Sequence, residues 1–368
     1  VASFNVLNYF NGDGAGGGFP TSRGATNPAE FTRQREKIIA AIVALDADVV
    51  GLMEIENDGD GPESAVADLV DGLNAAAGAG TYAYVSDPAG FPLPEAGGDA
   101  IKVAVIYQPS AVTPVGDALT DLDPVFSRAP VALTFEQVGT GGRFTVIVNH
   151  FKSKGCTDAA DLDRDQGDGQ ECYNAARTLQ AQQMVNFVAA IQASSGDEDV
   201  LVTGDLNSYA MEDPITTLTA GGLVNLIGAL VPDTYSYVYF GQSGTLDHAL
   251  ATESLREQVS GVAVWHINAD EPRVLDYNEE YKTAGQVTSF YSPDPYRSSD
   301  HDPVIVGLNL SSDSSSGGPA EGDTGQPSGA ETEKSDDGNS TLLAGLAALA
   351  AGLVLGIVLV IQRLVAKR

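Results

Sequence analysis

The sequence predicts a catalytic domain of the α plus β class over residues 1–310, and three observations predict it. Short runs of apolar and β-branched residues recur, each ending abruptly in an acid, an amide or an imidazole. Helical patterns with a single apolar face fall between these runs. At residue 311 the composition turns to Ser, Gly, Asp and Glu, which closes the globular part.

The 368 residues carry 50 acids against 19 bases, a formal charge of −31. A surface of that sign repels polyanions at long range, which excludes a protein that holds nucleic acid by bulk electrostatic attraction. A phosphate-bearing substrate has to be met locally, by metal ions and a few placed cations. Fifteen of the 19 bases lie before residue 300, and Arg33, Arg35, Lys152, Lys154, Arg177 and Arg297 flank the motifs below.

In chain order, "VASFNVLNYF" alternates and is rich in strand formers, so residues 1–8 form a strand with Asn5 and Asn8 near its downstream end. The glycine-rich loop 12–18 lacks the Lys-Ser/Thr pair of a phosphate-cradling loop. Asn27, Pro28 and Glu30 supply an N-cap, a first-turn proline and a capping-box acid, after which Phe31, Ile38, Ile42 and Leu45 share one helical face. "DADVVGLMEIEND" follows as a buried strand ending in Glu54 and Glu56. Alternation puts both on one face, where two carboxylates can converge on one site. A second helix spans 64–74, and strands follow near 82–85, 101–107, 131–135 and 143–149. The last delivers "VNHFKSK": His150 at the strand end, with Lys152 and Lys154 behind it, suits a phosphate-facing imidazole in a lysine-poor chain.

The two cysteines, Cys156 and Cys172, bracket an acidic loop. A disulfide there would stabilise by about 3 kcal/mol and suits an oxidising compartment. With no CxxC and no nearby histidine pair, zinc does not fit. Asp161, Asp163 and Asp165 have the alternate spacing of a calcium loop, but its glycine comes one position late, at Gly167, and its closing acid, Glu171, one early. A structural Ca²⁺ and a merely solvated acidic loop both remain open. A helix over 175–193 follows, with Leu179, Met184, Phe187 and Ile191 as core contacts and Arg177 near its start.

"DVLVTGDLNSY" is the most specific stretch: a parallel-type apolar strand, a glycine for a tight exit, then Asp205 and Asn207 two apart on one face. A carboxylate that takes a proton or holds a metal, beside an amide donor, suits phosphoester hydrolysis. "GTLDHAL" repeats the device with Asp247, and His248 reads as its neighbour. His266, beside Trp265, has no adjacent acid and reads as structural. "SSDHDPV" sets Asp300 and His301 against the buried run Val304, Ile305, Val306 and Leu308; titratable groups at a strand end are costly to bury unless paired or metal-bound. Beyond it, 311–341 reads as a disordered acidic linker. Residues 342–361 give 20 uncharged positions, enough to cross about 30 Å of hydrocarbon, so a transmembrane helix is expected over 342–362. The basic tail 363–368 would stay cytoplasmic and the catalytic domain would face outward. An opening Val1 inside a strand reads as a mature or truncated product.

Together "FNVLN", "LMEIEND", "VNHFKSK", "GDLNSY", "LDHAL" and "SSDHDPV" resemble the endonuclease/exonuclease/phosphatase superfamily, the DNase-I-like fold. The "DQGDGQECYNAARTLQAQ" region is similar to its secreted bacterial extracellular nucleases. The resemblance implies a four-layer α/β sandwich, two mixed β-sheets packed face to face with helices outside. It also implies that Glu54 is the principal ligand of Mg²⁺ (or Mn²⁺), with Asn5 beside it and Asp300 closing the metal site. Asp205 would orient or deprotonate the attacking water, Asn207 would bind the scissile phosphate, His301 would pair with Asp247, and His150 would donate to the phosphate or leaving group. Lys152, Lys154 and Arg177 are expected to face substrate phosphates. A histidine at 150 resembles DNase-like, sphingomyelinase-like and phosphatase members, whereas abasic-site repair enzymes tend to have tyrosine. The expected protein is a monomeric cell-surface phosphodiesterase acting on DNA, with RNA as a further substrate and no protein partner. A phospholipid or inositol-phosphate hydrolase is the alternative. A non-catalytic adhesin on the same fold would be expected to lack motif residues, and none is missing.

Overall fold

The computed structural model describes residues 1–310. β1 (Ala2–Tyr9) leads to α1 (Pro28–Leu45), whose N-cap Asn27 accepts from the N–H groups of Ala29 and Glu30. Next come β2 (Val49–Glu56), α2 (Ala65–Ala77), β3 (Ala83–Tyr84), β4 (Ile101–Tyr107), β5 (Val112–Leu119), β6 (Val131–Gln137) and β7 (Arg143–His150). The second half runs α3 (Asn174–Ser195), β8 (Val200–Asp205), α4 (Asp213–Ala220), β9 (Val224–Asn225) and α5 (Leu226–Leu230). A hairpin of β10 (Tyr237–Tyr239) and β11 (Gln242–Gly244) precedes β12 (Asp247–Ala251), α6 (Glu253–Arg256), β13 (Val259–Val264), α7 (Ala284–Ser289) and β14 (Val304–Leu308). The sequence patterns miss β5, where Pro114 and Gly116 interrupt the run; both are tolerated because β5 is an edge strand.

Two mixed sheets result, ordered β13-β14-β1-β2-β4-β3 and β5-β6-β7-β8-β12-β9. Their inner faces share one apolar core in which Met53, Val103 and Val105 meet Leu133, Phe135, Val146 and Val148. Gly51 sets the closeness of that contact: a Cβ there would stand 2.6 Å from a Val148 methyl. On the outer faces α1 and α2 cover the first sheet through Ile38, Ile42, Leu69 and Leu73, while α3 and α4 cover the second through Met184, Ile191, Ile215 and Leu218. These are the layers expected from the resemblance: helix, sheet, sheet, helix.

The topology gathers chain ends. β1 runs parallel to β2, and β7 parallel to β8, so four strands finish on one rim. β12 and β14 run antiparallel to β8 and β1 and therefore start there. Among the described residues no helix is long and apolar enough to cross a membrane. The linker, transmembrane helix and tail expected over 311–368 lie outside the described residues.

Candidate active site

That rim carries the chemistry. β7 and β8 end in register, His150 opposite Asp205, and β12 begins with Asp247 opposite Asp205. Gly204 allows the first of these pairings: its φ is +137°, and a Cβ there would lie 2.0 Å from the Asn149 carbonyl oxygen. The sheets are stitched together by Asn5, whose Nδ2 lies 3.2 Å from both Glu54 Oε1 and Asp205 Oδ2. Leu7, Asn8, Glu54, Asn207 and Arg297 all adopt positive φ between 48° and 66°. Such conformations cost about 1–3 kcal/mol each and cluster where side chains must be aimed.

Asp205 is the hub. Its Oδ2 lies 3.4 Å from His150 Nε2 and 3.7 Å from His301 Nε2, while Oδ1 accepts the Asn207 N–H at 2.9 Å. His301 donates through Nδ1 to Asp247 Oδ2 at 2.7 Å, and Ser236 Oγ donates to the same oxygen at 2.7 Å. Burial opposes charge on His301, but Asp247, Asp205 and Asp300 override it and hold the imidazolium well above the usual histidine range. His150 goes the other way. Burial, with Arg128 and His301 nearby, pushes it well below that range and keeps it neutral. Burial pushes the Asp205 carboxyl up to about 7 against the opposing pull of His301. Glu54 is also raised, by burial and then by Asp300.

A cavity of about 430 Å³ opens over this array, lined by Glu54, His150, Asp205, Asn207, Asp300 and His301 and walled by Lys154, Cys156, Tyr209, Tyr237 and Tyr239. A larger groove of about 660 Å³ beside β5, β6 and the end of α3 contains no histidine, so chemistry rather than size picks out the site.

Several sequence-expected residues lie elsewhere. Arg177 is fully buried and donates to Ser208 Oγ and to the carbonyls of Lys152, Gln170 and Cys172, so it clamps loops and does not reach the cavity. Lys152 Nζ sits over the Tyr173 ring at 4.5 Å. Lys154 lines the cavity, but its ammonium is spent on Glu212 at 2.6 Å. Cys156 and Cys172 form the expected disulfide. Asp161, Asp163 and Asp165 do not converge: Asp163 caps the Ala176 N–H and Asp165 the Gly167 N–H, and among the described residues no ligand cluster forms there. Glu56 turns from Glu54 to accept the Asn11 N–H, because a register shift between Leu52 and Ile55 breaks the alternation. His266 does have an acid: Asp302 Oδ2 lies 2.9 Å from its Nδ1, supplied 36 residues away in sequence.

Other contributors were not singled out from sequence, Asp302 among them although it lies inside "SSDHDPV". Arg128 is buried and donates to the carbonyls of His150 and Phe151 and to Asp99, fixing the end of β7. Asp302 Oδ1 accepts three successive N–H groups, Ile267 to Ala269, and Asn268 Nδ2 holds the His301 carbonyl. The Tyr237 ring packs 4.6 Å from that of His301.

The sequence profile of the Endonuclease/Exonuclease/phosphatase family matches residues 2–301. The chain belongs to that family. Among solved structures, an endonuclease/exonuclease/phosphatase from Bacteroides vulgatus is 16% identical with a TM-score of 0.51, covering 84% of this chain and 97% of that one. A mannosyl-6-phosphatase of Bacteroides thetaiotaomicron is 15% identical with a TM-score of 0.52, covering 84% and 98%. At these identities the likeness is one of fold. No curated protein sequence matches the chain.

Members of the endonuclease/exonuclease/phosphatase family are divalent-metal-dependent phosphoesterases, and the residues here fit such an ion. Asp205, Asp247 and His301 offer ligand atoms within 4.8 Å of one another. The surrounding carboxylates hold His301 as the imidazolium, however, and with both ring nitrogens protonated it cannot ligate. Glu54 and Asp300 are better suited. They are hard oxygen donors whose mutual repulsion on a buried floor a cation would relieve.

Proposed function

We propose that this domain is a divalent-metal-dependent phosphodiesterase that cleaves nucleic acid outside the cell, DNA first and RNA as a further substrate, and that segment 342–362 anchors it to the cell surface. One observation carries the chemistry: a neutral and a charged imidazole, His150 and His301, face a single buried carboxylate, Asp205. With a pKa near 7, Asp205 is a base matched to neutral pH and takes the proton of the attacking water. His301, held charged by Asp247, lies where negative charge builds up and gives its proton to the leaving oxygen. His150, held neutral, has one N–H to give, and its Nε2, 3.4 Å from Asp205 Oδ2, is placed to offer it to a phosphoryl oxygen. One Asn207 Nδ2–H is spent on the Phe151 carbonyl, and the other is left for the phosphate. Bound at Glu54 and Asp300 beside Asn5, Mg²⁺ or Mn²⁺ would neutralise charge on the phosphoryl oxygens.

The cavity wall favours a nucleic acid. Tyr209, Tyr237 and Tyr239 line it, and Phe240 at the β10–β11 turn is 90% exposed, which gives bases aromatic faces to stack on. The same exposed tip supports the second reading, a phospholipid hydrolase working at an interface. A second apolar stretch, "AGFPLP" over 89–94, offers less, since Phe91 is half-buried against the core. Full-length protein incubated with supercoiled plasmid in Mg²⁺, Mn²⁺ or EDTA, beside His301→Ala, tests the proposal. Nicking that requires both metal and His301 is expected. An intact plasmid alongside hydrolysed sphingomyelin or inositol phosphate would transfer the assignment to the second reading.

A further inference from the structure

The catalytic cavity continues past Asp300. Tyr237, Tyr239 and Asp300 also line a neighbouring recess of about 360 Å³, whose lining includes Arg273 and Arg297. These two arginines break the charge pattern of the domain. Eleven of the fifteen lysines and arginines before residue 310 have a carboxylate within ion-pair distance. In a chain with 50 acids that is the expected state, yet among the described residues neither Arg273 nor Arg297 has one.

Arg297 is only 7% exposed. Its Nη1 donates to the Asn268 carbonyl, but its Nε is buried with no partner among the described residues. Its backbone is held at φ 56° by an N–H bond to the Ile267 carbonyl, which keeps the side chain in place. Arg273 is exposed on a 3₁₀ turn, Arg273–Leu275, and its positive charge bears directly on Arg297. Of the acids that act on Arg297, Asp276 pairs with Lys282 at 2.6 Å, while Asp300 lines both the recess and the catalytic cavity, where it is suited to hold the metal; Glu271 also lines the recess. Two guanidiniums that line one recess without an ion pair, one of them with an unmet buried donor, favour an anion between them, and a phosphate matches their planar forks.

We propose that Arg273 and Arg297 form a second phosphate subsite, which holds the phosphodiester next to the one being cleaved. The inference rests on the phosphodiesterase reading of the adjacent cavity. It supplies the local cations that an acidic enzyme needs to keep a polyanion, and it favours polymeric substrates over single phosphodiesters.

The test measures binding apart from turnover. Full-length His301→Ala protein in Mg²⁺ is titrated into a fluorescein-labelled DNA dodecamer, with and without Arg273→Glu, and followed by anisotropy. Arg273 is the residue changed because it is exposed, whereas loss of buried Arg297 would disturb its loop. Arg273→Glu is expected to raise Kd at least tenfold and to lower the slope of log K against log salt by about 1. Arg256→Glu makes the same charge change on α6, outside the recess, and should stay within twofold. An unchanged Kd for Arg273→Glu, or an equal loss for Arg256→Glu, overturns the subsite. If the parent enzyme cleaves no phosphodiester while Arg273→Glu alone still loses DNA binding, the subsite stands and the phosphodiesterase reading falls.

Discussion

The charge on His301 depends on one oxygen. Asp247 Oδ2 takes the Nδ1 proton at 2.7 Å, and its other oxygen is buried without a partner among the described residues. Asp247→Asn keeps the shape but removes the largest of the charges that outweigh burial, so His301 holds its proton less tightly and is a weaker source of charge and acid in the transition state. We expect kcat to fall by about 10²–10⁴ with an unchanged circular dichroism spectrum. A kcat within threefold of wild type would show that the dyad is not part of the reaction. At this scale the sequence was informative where a strand ended in a polar pair, as at Asp205, Asp247 and His301, because alternation and register fix where such residues point. It was misleading for Arg177, since a long side chain near a motif can turn inward: this one is fully buried and spends its donors on Ser208 and three carbonyls. Arg128 and Asn268 could not be found from sequence at all, and Asp302, although it lies inside "SSDHDPV", could not be told from a solvated neighbour of the pair. Their partners lie on segments brought near only by the finished fold.

At the scale of elements, the disulfide loop is a wall of the site rather than an appendage. Cys156 lines the cavity, Cys172 presents its carbonyl to Arg177, and Lys154 ties the Gln170 carbonyl to Glu212. The double variant Cys156→Ser, Cys172→Ser should therefore lose about 3 kcal/mol of stability. It should also raise KM more than it lowers kcat, because the wall loosens while Asp205 and His150 stay on β-strand ends and His301 stays bonded to Asp247. Steady-state kinetics and a denaturant titration on the same preparation would check both, and an unaltered KM would place the loop outside substrate binding. The pairing of the two cysteines was legible, since the chain has no others. The break in β2 was not: alternation predicted that Glu54 and Glu56 would converge, but Glu54 sits at φ 66° beside a register shift that sends Glu56 to the Asn11 N–H. A bulge is a property of two strands together and leaves no mark on one of them.

For the whole molecule, the excess of acids and the buried carboxylates act in the same direction. Asp205 and Glu56 are both raised to about 7, chiefly by burial. A raised folded-state pKa means that the native protein binds protons more tightly than the unfolded chain, so that stability is lost as pH rises through about 7. His301, raised well above its usual range, loses stability in the same direction at higher pH. His150 and His248 are lowered, and about 0.4 kcal/mol of opposing gain from each is still to come above the unfolded histidine value of about 6.5, an amount that Asp205, Glu56 and His301 together outweigh. Between pH 6.5 and 8.5, therefore, the metal-free protein should become less stable. For Asp205 alone the loss is on the order of 1 kcal/mol, which is a Tm lower by about 2 °C for a domain of this size. Self-repulsion at a net charge of −31 adds to it. A divalent cation reverses the trend, because Glu54, whose carboxyl is raised by burial, binds it only when ionised, and its charge then favours the ionised form of Asp205 nearby. Melting curves in EDTA and in Mg²⁺ at the two pH values should therefore diverge, with the Mg²⁺-induced rise in Tm larger at pH 8.5. A rise in Tm that is equal at both values would mean that the ion binds away from these buried carboxylates.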